Sequence, residues 1–312
     1  MEHFFLVGSV RSGTTMLRLM LDQHPKLGCF GEFEYVVDML TDPGSPPSGI
    51  EFASWLSKER RFVSMGLKAN ASADYASIAT GLLTQLEMAS DKNLSASGMS
   101  VHRHFERLPF LWPNAKFVYL IRDGRDVSNS CRRMGWAGHL YQAADYWENA
   151  ERSWERLQEH VCPVQCYEIR NESLVRHPVE SLTKLCDFLG VEYDGSMLRY
   201  HENSAYGRPD PSKVAQWRHS MTPGELSILE ARIGERLRRR GYAESGVPPV
   251  RLSFWRRLRY SLINRIGKHQ FRIKRFGFWT WFVELGSRKL RIHRLEQSAS
   301  RRIRSIALSH LK

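Results

Sequence analysis

The sequence predicts an α/β fold, a parallel sheet with helices on both faces, followed by a basic helical extension. Three observations carry that prediction. Short apolar runs of β character alternate with longer stretches of helical period, the pattern of a parallel sheet covered by helices. The first such run leads through a polar, glycine-bounded loop straight into an amphipathic helix, which is the layout of a phosphate-binding unit. The charge is also unevenly divided. Residues 250–312 carry 17 Lys and Arg against 2 Asp and Glu, a net of +15, so the rest of a chain whose total is +13 stands near −2. A near-neutral body over 1–249 is thus expected to precede a basic, aromatic-rich extension over 250–312.

Taken in order, His3 to Gly8 reads as a short buried strand. Met16, Leu17, Leu19, Met20 and Leu21 then have the spacing of a helix packed on a sheet, stopping at His24-Pro25. A second short strand is expected over 27–30 and a helix over 33–40. Residues 42–49 form a Pro/Gly-rich loop, and helices follow over 51–62 and 73–89. The strongest β-run is 116–121, ending in Arg122-Asp-Gly-Arg-Asp126, with a helix beginning near Val127. A long helix over 143–160, a strand over 164–169, a helix over 178–189 and a last one over 223–240 complete the body. No internal repeat is present.

Several classes are set aside by composition. An apolar share of 42% suffices for a core. No stretch of eighteen apolar residues occurs, so no membrane-spanning helix is expected. The apolar run after Met1 is too short for a signal peptide. Five cysteines, an odd number without a CxxC pair, give no disulfide framework and no metal set. A reducing, cytoplasmic setting is expected.

Arg11-Ser-Gly-Thr-Thr15 supplies a glycine for close approach, hydroxyls at 12, 14 and 15, and a cation at 11. Gly8 and Gly13 keep the four-residue gap of a phosphate loop, but Thr14 stands where a kinase loop has its Lys. A kinase is therefore disfavoured. Residues 7–17, Val-Gly-Ser-Val-Arg-Ser-Gly-Thr-Thr-Met-Leu, resemble the 5′-phosphosulfate-binding loop of sulfotransferases that use 3′-phosphoadenosine 5′-phosphosulfate (PAPS). Residues 117–130 are similar to that family's second signature, in which an Arg ends a strand and a Ser follows eight residues later. Arg122 and Ser130 keep that spacing. Over 11–34 the chain looks most like protein-tyrosine sulfotransferases, although bacterial and carbohydrate sulfotransferases share much of this stretch. The resemblance covers roughly residues 3–242 and is patchy between the signatures.

The resemblance implies a three-layer, P-loop-like α/β fold and sulfuryl transfer from PAPS to an acceptor hydroxyl on a carbohydrate, lipid or other molecule, without a metal. It places Glu32 at the catalytic base, with Glu34 as nearest competitor, and Arg11 at the group that stabilises transferring charge. Ser12, Gly13, Thr14 and Thr15 would hold the 5′-phosphate, and Arg122 and Ser130 the 3′-phosphate. Ser212 and Lys213 would belong to a late loop over the cofactor, beside a Trp217 read as core. Two departures stand out: Asn171 replaces a usual Tyr, and Ser100 falls where many relatives carry a transition-state Lys. His102, Arg103 and His104 are the nearby replacements. The alternative is a catalytically degenerate fold that binds membranes or polyanions. In the extension, Phe254, Trp255, Leu258, Leu262 and Ile266 have helical spacing among cations, and Phe276, Phe278, Trp279, Trp281 and Phe282 follow. This suits a helix lying on an anionic membrane surface, peripheral on its inner face. A helix packed on the body, with a homodimer contact, is the competing reading, and nucleic acid is disfavoured.

Overall fold

The N-terminal apolar run forms β1, Glu2–Val7, the centre of a five-stranded sheet. In this computed structural model, which describes residues 1–42, 44–279 and 282–283, the other strands are β2 (Leu27–Glu32), β3 (Ala96–Val101), β4 (Lys116–Ile121) and β5 (Cys166–Arg170). The order is β2-β3-β1-β4-β5, and every pair is parallel. Val7 of β1 stands beside Val101 of β3 and Tyr119 of β4. The carboxyl ends of these strands therefore open on one edge of the sheet, where ligands of open α/β sheets bind.

The chain divides into two compact units, Met1–Asp123 with Tyr146–Gln216, and Gly124–Asp145 with Trp217–Lys312. The first holds the whole sheet. On one face Phe4, Leu6, Val118, Leu120 and Ile169 pack with Leu17, Met20 and Leu21 of helix α1 (Thr14–Gln23) and with Leu182, Leu185 and Leu189 of the helix Pro178–Leu189. On the other, Phe5 meets Trp112 at 4.8 Å, and Tyr119 stacks on Trp154 at 4.8 Å. Neighbours along a strand thus serve opposite faces, as the pleat dictates. The second unit is helical in its described part. Thr222 and Glu225 form a capping box that opens the helix Pro223–Arg239. The buried Arg125 guanidinium is paired with Glu230 at 2.7 Å and lies 3.7 Å over the ring of Trp217, which is core. The helix Phe254–Phe276 belongs to this unit. Trp281 and most of the extension after it lie outside the described residues. Among the described residues no helix is long and apolar enough to cross a membrane.

The interior strand β3 is absent from the sequence reading. Its residues, Ala-Ser-Gly-Met-Ser-Val, have little of the β-branched and aromatic content that marks a strand. They are small because the strand is buried throughout, between β1 and β2. The helix expected over 51–62 is two helices, Gly49–Leu56 and Arg60–Met65, and only Tyr35–Asp38 is helical within 33–40. Glu59 breaks the first of these runs by turning out of the helix and capping the second.

A side chain at Gly98 would place Cβ 2.2 Å from the carbonyl oxygen of Phe4. Gly98→Ala is expected to lower stability by about 1–3 kcal/mol, as overpacking does, read as a lower urea midpoint. An unchanged midpoint would show that β3 and β1 are not held this closely.

Candidate active site

Between β1 and α1 the chain turns back sharply over residues 8–13. Gly8 passes under β4, where a Cβ would lie 2.7 Å from Leu120 O. The Ser12 backbone N–H and hydroxyl both donate to Ser9 O, at 3.1 and 2.7 Å. Arg11 is left-handed, with φ 67°, a conformation that costs a non-glycine residue about 1–2 kcal/mol. Gly13 caps α1 with φ 103°, and a Cβ there would also strike Asn171 Nδ2 at 2.3 Å. Two independent constraints thus demand glycine at position 13. The first turn of α1 holds no acidic residue. Its N–H groups and dipole therefore favour an anion.

Arg122, at the end of β4, is tied to this loop. Its guanidinium donates to Arg11 O at 3.1 Å and to Lys213 O at 3.2 Å. Its own carbonyl accepts from Trp147 Nε1 at 3.0 Å, and the next N–H, of Asp123, donates to Glu172 at 2.9 Å. Burial pushes the Glu172 carboxyl above its ordinary range. Lys213 meets Arg122 through its backbone, whereas its ammonium lies 3.8 Å from Asp210 and the exposed Ser212 hydroxyl donates to the same carboxylate at 2.6 Å. Ser130 lies on the helix Gly124–Arg133 of the second unit.

The two acids at the end of β2, Glu32 as its last residue and Glu34 just after it, have different surroundings. The Glu32 side chain is 43% exposed and sits 3.0 Å from Arg61. The Glu34 side chain is 3% exposed, with one carboxylate oxygen on Arg61 and the other 2.6 Å from His102 Nδ1. A carboxylate can only accept, so Nδ1 carries the proton. The opposite ring nitrogen, Nε2, lies 2.8 Å from Thr14 Oγ1. An unbroken chain therefore runs from Arg61 through Glu34 and His102 to the phosphate loop. Burial raises the Glu34 carboxyl, but the bond to His102 and the charges of His102 and Arg61 outweigh it and hold the group below its ordinary value.

Of the three residues near the missing Lys, only His102 reaches the loop in this way. Arg103 is engaged with Asp38 through two bonds of 2.7 and 2.6 Å, and His104 lies 3.8 Å from Glu106. Ser100 donates its hydroxyl to Gly31 O at 2.8 Å, which fastens β3 to the end of β2. Sequence reasoning did not find Arg61 or the contact of Asn171 with Gly13. No motif signals either one, because the partners meet only through the fold. Among the described residues no group of three or more His, Cys, Asp or Glu is placed to hold a metal.

The family model for the sulfotransferase family matches residues 3–195, more than half of the chain. The chain belongs to the sulfotransferase family. It is 29% identical over 220 residues to a putative protein-tyrosine sulfotransferase of Caenorhabditis briggsae, a match covering 64% of this chain and 70% of that protein. To protein-tyrosine sulfotransferase A of Caenorhabditis elegans it is 28% identical over 207 residues, 64% of this chain and 53% of the relative. The chain thus spans from about half to about seven tenths of the length of these relatives. The sulfotransferase domain of the Synechococcus PCC 7002 olefin synthase shares the fold, with a TM-score of 0.59 and 22% identity over 78% of this chain and 95% of that one.

A depressed folded pKa at Glu34 contributes stability above the unfolded carboxyl pKa, and that stability is lost as pH falls through the folded value. Glu34→Gln should therefore cost about 1–3 kcal/mol at neutral pH and progressively less in acid, where the two urea midpoints converge. A constant gap from neutral to acid pH would show that the charge of Glu34 contributes nothing.

Proposed function

We propose that this sulfotransferase moves the sulfuryl group of PAPS onto an acceptor hydroxyl, with the phosphate loop, Arg122 and the acids at the end of β2 as its machinery. The observation that carries the reading is that these groups lie at the carboxyl edge of the sheet, joined by hydrogen bonds and ion pairs. The N–H groups at the start of α1, with Ser12, Gly13, Thr14 and Thr15, receive the 5′-phosphate. Arg122, a cation outside the loop yet bonded to it, receives the 3′-phosphate that distinguishes PAPS from ATP.

Sulfuryl transfer, like phosphoryl transfer, relies on in-line positioning and on charge placed where the transition state develops it. The acceptor oxygen forms a bond to sulfur as the bond from sulfur to the 5′-phosphate oxygen breaks. The acceptor proton passes to a carboxylate, and the departing phosphate carries the extra negative charge. Glu32 suits the proton: it is half-exposed, so an incoming hydroxyl can meet it, whereas Glu34 is buried between Arg61 and His102. Arg11 stabilises charge on the sulfuryl and bridging oxygens. His102 takes the place of the family Lys, since its ring stands against Thr14 and the Glu34 carboxylate balances positive charge on it. The tyrosine phenol named in the relatives' descriptions makes a tyrosine peptide the first acceptor to try, with carbohydrate and lipid hydroxyls after it.

The test is transfer of radiolabel from [³⁵S]PAPS to a panel of tyrosine peptides, glycans and lipids in EDTA. Labelled product is expected, with Glu32→Gln lowering kcat by about a hundredfold or more and His102→Ala by about the same factor. If every acceptor stays unlabelled while the nucleotide binds, the fold is a binding module and the catalytic reading fails. If Glu32→Gln retains full activity, the base lies elsewhere.

A further inference from the structure

The helix Phe254–Phe276 presents two opposite faces of different character. One is packed on residues 135–141 of its own unit. Tyr260 is buried and stacks on His139 at 4.4 Å, and Asn264 Oδ1 accepts from Gly138 N–H at 2.7 Å. Gly267 approaches Gly138 so closely that a Cβ on it would lie 2.7 Å from Gly138 O, and Phe271 fills the space beside Gly135. Positions 260, 264, 267 and 271 are spaced by four, three and four, which is one stripe of a helix.

The other face carries Phe254, Trp255, Leu258, Leu262 and Ile266, all exposed, four of them by more than half. At about 100° per residue they fill a sector of about 120°, turned away from the packed stripe. Farther along the same side lies a cavity of about 390 Å³ lined by Gly135, Trp136, Arg265, Lys268, His269 and Arg272. The helix as a whole has eight Lys and Arg and no Asp or Glu. Past its end, the exposed Phe278, Trp279 and Phe282 lie against one another, with ring centroids 5.7–6.4 Å apart.

We propose that this face docks on an anionic phospholipid bilayer. The apolar stripe and the aromatic cluster enter the boundary between headgroups and acyl chains, and the basic cavity beside Trp136 holds phosphate headgroups. An apolar stripe flanked by cations is the composition of a helix that lies in a membrane interface. Charge complementarity selects this occupant. A second copy meeting the same face about a two-fold axis would bring together two helices that each carry eight cations and no acid. A nucleic acid would satisfy the cations but leave the apolar stripe without a partner. The packed stripe keeps the helix folded before it meets the surface, so less ordering is needed on binding.

The full-length chain is to be floated with phosphatidylcholine vesicles and, separately, with mixed phosphatidylcholine–phosphatidylglycerol vesicles. Binding is expected only to the mixed vesicles, and it should weaken as salt is raised. Arg265→Glu and Lys268→Glu combined should lower partitioning by about twenty- to thirtyfold, at about fivefold for each cation removed. Leu258→Ser with Leu262→Ser should abolish flotation. These four positions are exposed, so the variants should keep the parent's thermal midpoint and its affinity for the product nucleotide. Failure to float with phosphatidylglycerol vesicles, or flotation unchanged in both variants, would overturn the proposal. A dimer in light scattering that Leu262→Asp dissociates, without vesicle binding, would overturn it in favour of a second copy.

Discussion

Parallel pairing of β1 with β3 on one side and β4 on the other is the arrangement from which the site follows. A parallel sheet sends every strand in the same direction, so residues that follow β1, β2, β3 and β4 emerge at one edge although they are far apart in the chain. The loop over residues 8–13 follows β1, Glu32 ends β2 and Glu34 follows it, His102 follows β3, and Arg122 follows β4. The pairing depends on close backbone approach, which explains Gly98 against Phe4 and Gly8 against Leu120. It also explains the plain composition of β3, where small buried residues let the neighbouring strands carry the large side chains.

Charge at this edge is arranged so that the buried acid is compensated and the exposed one stays accessible. Burying Glu34 penalises its charged form, and the Arg61 cation and the bond from His102 offset that penalty. The arrangement fixes His102 against Thr14 and draws Arg61 between the two acids, leaving Glu32 partly open to solvent. Removing either partner would unbalance the buried acid, which ties the geometry of the loop to the electrostatics behind it.

Much of this was legible in the sequence, and for identifiable reasons. β1, α1 and β4 have strong apolar patterns bounded by glycine, proline or charge, so their extents were readable to within a residue or two. Residues 11–15 and Arg122 stand out in the sequence because a phosphate site would need glycine, hydroxyls and cations at set spacing, and the structure brings them together at one sheet edge. β3 was hidden because a strand buried between two others need not be rich in β-formers. That His102, rather than Arg103 or His104, bonds to the loop was equally hidden, since it depends on partners 68 and 88 residues away in Glu34 and Thr14. Of the two readings of the extension, packing on the body describes one face of the helix Phe254–Phe276, whose opposite face is exposed. Alternating exposure along a helix of mixed composition does not say which side has a partner within the chain.

The central claim is that Arg122 reads a 3′-phosphate while the loop before α1 holds a 5′-phosphate. Calorimetric titration with adenosine 3′,5′-bisphosphate beside AMP, in EDTA, isolates that claim, because the two nucleotides differ by the 3′-phosphate alone. The bisphosphate is expected to bind about ten- to a hundredfold more tightly, the worth of one charge-assisted contact, and Arg122→Ala should erase the difference. Equal binding of the two nucleotides by the parent chain would contradict the account.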